Sequence, residues 1–224
     1  MTIEAAHDDM MVPAAPAGEI IHPAWVRITH WVNAVAMLVM IGSGWEIYNA
    51  SPLFAFRFPP AITLGGWLAG ALLWHFAAMW LLAVNGFVYV VLGVVSGRFR
   101  RKLVPIRPGE VLADTKAALM GRLAHDDLSA YNAVQKLLYL GVIAALMLAA
   151  VSGLSLWKPV QFQGLITLFQ GFQGARLVHF LCMSAIALFL VVHVALALLV
   201  PRTLLSMITG RVRAPAPVSL AAAE

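Results

Sequence analysis

The chain has 224 residues, 62% of them hydrophobic and 11% charged, with a mean hydropathy of +0.86. A soluble domain carries about 25% charged residues, so this composition excludes a soluble globular protein and indicates an integral membrane protein. The formal charge of +5 does not indicate a nucleic-acid partner, because the basic residues bracket the apolar segments.

Residues 1–22 are acidic and rich in Ala and Pro, without the basic start and apolar stretch of a signal peptide. They read as a flexible cytoplasmic tail. His7 and His22 lie in or beside it and His125 lies in a polar loop, so all three read as solvated. A helix that crosses ~30 Å of hydrocarbon needs about 20 apolar residues. The first such segment runs from about Trp25 to Tyr48 and contains Arg27, His30 and Gly44. Pro52, Pro59 and Pro60 break the chain after it. The second runs from about Ile62 to Ser96 with His75, Gly86 and Gly93, and is long enough to tilt or to project. A basic loop follows, carrying Arg98, Arg100, Arg101, Lys102, Arg107, Lys116, Arg122 and Lys136. The third segment runs from about Tyr131 to Leu156. Lys158-Pro159 and a Gln/Gly-rich stretch to Gly174 separate it from the fourth, about Arg176 to Val200, with His179, Cys182 and His193. Residues 211–224 read as a C-terminal cytoplasmic tail.

The expected fold is an all-α, four-transmembrane-helix bundle over residues 23–210, a single domain with no evident repeat. Lys and Arg accumulate on the cytoplasmic side of membrane helices. The basic loop and Arg202, Arg211 and Arg213 therefore place both termini in the cytoplasm, while the two opposite loops hold only Arg57 and Lys158, with Arg176 at a helix edge. The basic loop either docks a cytoplasmic protein or simply enforces this topology. The single cysteine excludes an intramolecular disulfide, a Cys-based iron–sulfur site and the C-x-x-C-H attachment motif, and Cys182 reads as a small buried apolar residue.

Four histidines inside apolar spans demand an explanation, since a polar side chain in hydrocarbon is costly unless something binds it. With the topology above, His30 and His193 share the inner level, and His75 and His179 share the outer one. His179 and His193 lie 14 residues apart, which is ~21 Å of rise and about 40° short of four whole turns. Each level thus has two histidines from different helices, the arrangement that grips an iron porphyrin from both faces. Zinc or copper would gather its ligands at one point. Two stacked haems, with centres ~20 Å apart by helix rise, are the expectation. Ligation by two histidines fills both axial positions and leaves one-electron transfer as the chemistry.

Glycines agree in phase. Gly44 is 14 residues after His30, and Gly86 and Gly93 are 11 and 18 residues after His75. All three fall near the histidine face of their helix, giving either clearance for a flat ring or ordinary close packing. Arg27-Ile-Thr-His30 and Arg176-Leu-Val-His179 repeat an R-x-x-H pattern whose members share a helix face. Each Arg either pairs with a haem propionate or snorkels to the interface.

Arg27-x-x-His30-Trp31, His75, and Arg176-x-x-His179 followed by His193 resemble the bacterial di-haem b-type cytochromes over about residues 20–210. That family includes the cytochrome b subunits of nickel–iron hydrogenases, formate dehydrogenase gamma subunits and thiosulfate reductase cytochrome b subunits. The resemblance implies two non-covalent haems b, the pairing His30/His193 and His75/His179, and a place in the bacterial inner membrane. Tyr131-Asn132-Ala133-Val134-Gln135-Lys136 is similar to a Tyr-Asn-x-x-Gln-Lys segment of formate dehydrogenase gamma subunits. By that likeness Asn132 and Gln135 are candidate quinone-pocket residues; the other reading is a polar helix start with Lys136 as an interfacial anchor. It also slightly favours a molybdenum-enzyme partner over a hydrogenase. The expected function is a membrane anchor relaying electrons between a catalytic redox subunit and the quinone pool. The rivals are a stand-alone quinol-oxidising cytochrome and a cofactor-free anchor or transporter.

Overall fold

The computed structural model of the chain describes residues 20, 22–99 and 133–211, without the side chains of 133–137 and 202–203. Most of the basic loop, Asn132 and both tails lie outside the described residues.

The described chain is helical. Four helices are long and apolar enough to cross a membrane: α1 (Ala24–Ala50), α2 (Leu68–Val95), α3 (Ala133–Trp157) and α5 (Phe172–Leu199). Two short helices, α4 (Gln163–Leu168) and α6 (Pro201–Thr209), and one 3-10 turn (Pro60–Ile62) complete them. Proline and glycine set the boundaries. α1 starts behind Pro23, where the missing N–H is no loss. The second span was expected from about Ile62, but its helix begins only at Leu68, because Gly65 and Gly66 take positive φ of 116° and 72° and turn the chain first. α5 ends at Leu199 because Pro201 holds Val200 out of helical conformation. Pro201 then opens α6, which stops at a left-handed Gly210. α4 and α6 were not expected from the sequence; both are too short to show a helical period against their apolar surroundings.

α1 packs closely on α2, and α3 on α5. Many of the residues buried in these helices are small, among them Ala36, Ser43, Ala71, Ser152, Ser155 and Ala175. Lipid tails are as apolar as leucine, so close backbone approach drives helix association in a bilayer. Large side chains instead cover the outside, as with Leu73, Val95 and Leu188, each more than 60% exposed. Between the two helix pairs the contacts are sparser. They include ring contacts: Tyr48 stacked on Phe180, Phe76 and Trp80 against Trp157, and the four histidines.

The two ends of the bundle differ. At the terminal end, Ile20 bridges to Arg211, and the His22 N–H donates to the Gly210 carbonyl at 3.2 Å. At the loop end, the segment between α1 and α2 is clamped by Asn49, which donates to the Phe58 carbonyl (2.9 Å) and accepts from the Phe58 N–H (2.8 Å).

Candidate functional site

The histidine rings meet in two pairs across the space between the helix pairs. His30 of α1 faces His193 of α5, ring centres 6.1 Å apart and planes at 61°. His75 of α2 faces His179 of α5, 6.4 Å apart at 67°. α5 thus supplies one member of each pair, at the terminal and loop ends respectively. Two imidazoles that bind one metal from opposite sides, each at a metal–nitrogen distance of about 2 Å, place their ring centres about 6 Å apart. Both pairs have that spacing. Among the described residues, no three of His, Cys, Asp and Glu converge, whereas a structural zinc site takes four ligands.

At the loop end the surroundings determine which ring nitrogen is free. His179 Nδ1 lies 2.9 Å from the Ala149 carbonyl and 3.1 Å from Ser152 Oγ. A carbonyl can only accept, so Nδ1 carries the proton and donates. Ser152 donates its own proton to the Leu148 carbonyl at 2.7 Å, which leaves its oxygen as an acceptor for the ring. Nε2 is then unprotonated and able to bind a metal. His75 is held in a similar way from α1: Nδ1 lies 3.0 Å from Ser43 Oγ. Ser43 likewise spends its proton on the Val39 carbonyl, at 2.6 Å.

The terminal-end pair is set by aromatic contacts. His30 meets Trp31 edge-on at 5.4 Å. His193 stacks on Phe189 at 5.6 Å and 15°, and Phe189 meets Tyr139 at 6.3 Å.

Arg27 Nη1 donates to the Ile208 carbonyl at the end of α6, at 2.5 Å. Its Nε is buried without a hydrogen-bond partner. Arg176 donates to Gln173 Oε1 at 2.9 Å and to the Ser51 carbonyl. A Cβ at Gly44 would meet His75 Cε1 at 3.6 Å. Gly86 has open space above it, and the Phe99 ring packs over Gly93. Asn132 lies outside the described residues. Gln135 sits in the first turn of α3, its side chain not described.

Sequence reasoning missed three residues: Ser43, Ser152 and Gly153. A Cβ at Gly153 would stand 3.0 Å from His179 Cε1. The signal available was the Ser-Gly step recurring in the first and third spans, Ser43-Gly44 and Ser152-Gly153.

Residues 21–210 match the family described as prokaryotic cytochrome b561. A relative from Azospira oryzae is 54% identical over 190 residues, covering 85% of this chain and 96% of its own length; its name assigns it to a protein-methionine-sulfoxide reductase as subunit YedZ1. With four apolar spans and facing histidines that suit an iron porphyrin, the chain belongs to the prokaryotic cytochrome b561 family, as a membrane cytochrome b that transfers electrons.

Proposed function

We propose that the chain is the membrane electron-relay subunit of a two-part reductase and holds two haems b, one between His30 and His193 and one between His75 and His179. The observation that carries this reading is the pair of facing ring couples at 6.1 and 6.4 Å on one shared helix. Haem b, when bound, supplies one-electron exchange at its iron. Held by a histidine on each side, the iron would have no place for O₂ or substrate, and its chemistry would be one-electron transfer. Gly86 leaves open space beside its helix for a flat ring, Gly44 gives room to the His75 imidazole, and Gly93, the third glycine of that phase, lies under the Phe99 ring. Arg27 and Arg176 stand one turn from His30 and His179, where remaining N–H groups could serve a propionate carboxylate; the buried Nε of Arg27 is such a donor.

The distribution of basic residues supports cytoplasmic termini in a bacterial inner membrane. In that orientation the terminal end faces the cytoplasm. By the likeness of Tyr131–Lys136 to formate dehydrogenase gamma subunits, Asn132 and Gln135 supply amide groups for a quinone carbonyl; Gln135 lies in the first turn of α3, at the terminal end. The Azospira relative's name brings a partner: a catalytic subunit that reduces methionine sulfoxide in proteins, each turnover taking two electrons and two protons and releasing water. The formate-dehydrogenase likeness of Tyr131–Lys136 favours a molybdenum enzyme in that role.

The test is electron delivery. Purified chain is reduced with a quinol analogue and mixed with an oxidised methionine-containing peptide, with and without the co-expressed redox subunit. The expected result is haem oxidation by sulfoxide only when the partner is present. Oxidation without it would make the chain a stand-alone oxidoreductase.

A further inference from the structure

The loop-end histidines are held by the same Ser-Gly device on two different helices. On α1, Ser43 offers its oxygen and Gly44 its missing side chain to His75. On α3, Ser152 and Gly153 do the same for His179, with the Ala149 carbonyl as a further acceptor. The register is identical: each serine is followed directly by its glycine. In both cases the serine turns its proton back to its own helix, to the carbonyl four residues earlier. Both serines are wholly buried, at 0% exposure. Among the described residues nothing equivalent stands behind His30 or His193, which rest on aromatic rings.

We propose that Ser43 and Ser152 are matched positioning residues that tune the loop-end haem alone and give it the lower reduction potential of the two. The proposal rests on the bis-histidine reading above. The physical step is short. Each serine oxygen accepts from Nδ1–H, and at His179 it shares that proton with the Ala149 carbonyl. That leaves more electron density on the imidazole and makes Nε2 a stronger donor to a metal. A stronger donor favours ferric over ferrous iron, which lowers the potential. The terminal-end histidines lack this push. Electrons entering at the loop end would then run downhill to the terminal end, and flow in the opposite direction would climb.

The experiment is a redox titration of the full-length chain, followed optically and by low-temperature electron paramagnetic resonance. Ser43→Ala and Ser152→Ala are compared with Ser184→Ala. Ser184 also donates back to the carbonyl four residues earlier, Phe180, at 2.9 Å, but among the described residues it makes no hydrogen bond to a histidine. Each of the first two variants is expected to raise the midpoint of one and the same component, the one that His179→Ala deletes. The other component should stay in place, and Ser184→Ala should move neither. A serine variant that loses only the loop-end haem supports the assignment as a raised midpoint would. Loss of both haems, an equal shift of both midpoints, or an unmoved loop-end midpoint with both haems present overturns it. Failure of the underlying reading is distinguishable, because the unmodified chain would then lack two bis-histidine components.

Discussion

Gly153 sits so close to His179 that a Cβ added to it would stand 3.0 Å from the ring's Cε1, while at Gly44 the equivalent contact with His75 would be 3.6 Å. The two positions look alike in sequence, yet they should tolerate substitution differently. At 3.6 Å an added methyl makes ordinary van der Waals contact, so Gly44→Ala should leave haem content unchanged. Gly153→Ala must push the His179 ring aside. Overpacking of this kind costs about 1–3 kcal/mol, which corresponds to roughly 5- to 150-fold weaker binding of the loop-end haem. Haem retention during dilution and gel filtration measures this. Equal losses in the two variants would mean that the ring has more room than the structure gives it.

The ring pairs make a genetic prediction. His30→Ala and His193→Ala should remove one spectroscopic component, and His75→Ala and His179→Ala the other, because each pair meets across the bundle. Redox titration of membranes carrying each variant separates the two components. If His30→Ala and His179→Ala abolished the same one, the pairing would be wrong.

How much of this was legible follows from what each residue shows on its own. The four spans were visible because apolar length is a one-dimensional signal, and the depth of each histidine followed from its distance to a span end. The grouping of His30 with His193 and of His75 with His179 needed no more than that. The Ser-Gly cradles were different. Serine beside glycine in a membrane helix is ordinary packing material, and its meaning depends on which helix faces it. Ser43 and His75 are on neighbouring helices, as are Ser152 and His179. No periodicity within one span reports such a contact, and the repeat is of two residues, too short to register as internal homology. The helix start at Leu68 was missed for another reason. Gly65-Gly66 lies in an apolar stretch, so composition continues across a turn that the backbone makes with positive φ.

Two haems per chain are expected from four ligands in two couples. A pyridine haemochrome assay on purified protein should give about two, extractable by acid–acetone, because no thioether motif occurs in a chain with one cysteine. A ratio near one would leave one histidine pair as a structural contact.

The arginines at the R-x-x-H positions should act by charge. A positive group near a haem favours the reduced form. At an effective dielectric of about 20 and a separation of about 10 Å, the effect is on the order of 1–2 kcal/mol. Arg27→Gln should therefore lower the midpoint of the terminal-end haem, and Arg176→Gln that of the loop-end haem. Each arginine also ties backbone carbonyls, of Ile208 and Ser51 respectively. If those ties were their whole role, the potentials would hold while thermal stability fell, and a melting curve beside the titration tells the two apart.

The last prediction concerns where quinone exchanges electrons. α3 opens at Ala133 at the terminal end, which places Gln135 in its first helical turn; Asn132 precedes it in sequence, outside the described residues. A carboxamide in a low-dielectric setting is a strong partner for a quinone carbonyl, because water does not compete for the hydrogen bond. Asn132→Leu combined with Gln135→Leu removes these donors without burying a charge, so the fold is little disturbed. The double variant should keep both haems and lose most of the rate of haem oxidation by a quinone analogue, measured by stopped-flow absorbance. Unaltered rates with full haem content would move the site to the loop end beside His75 and His179. Protons accompanying quinone turnover would then come from the opposite side of the membrane, and proton release from vesicles of known orientation would report that reversal directly.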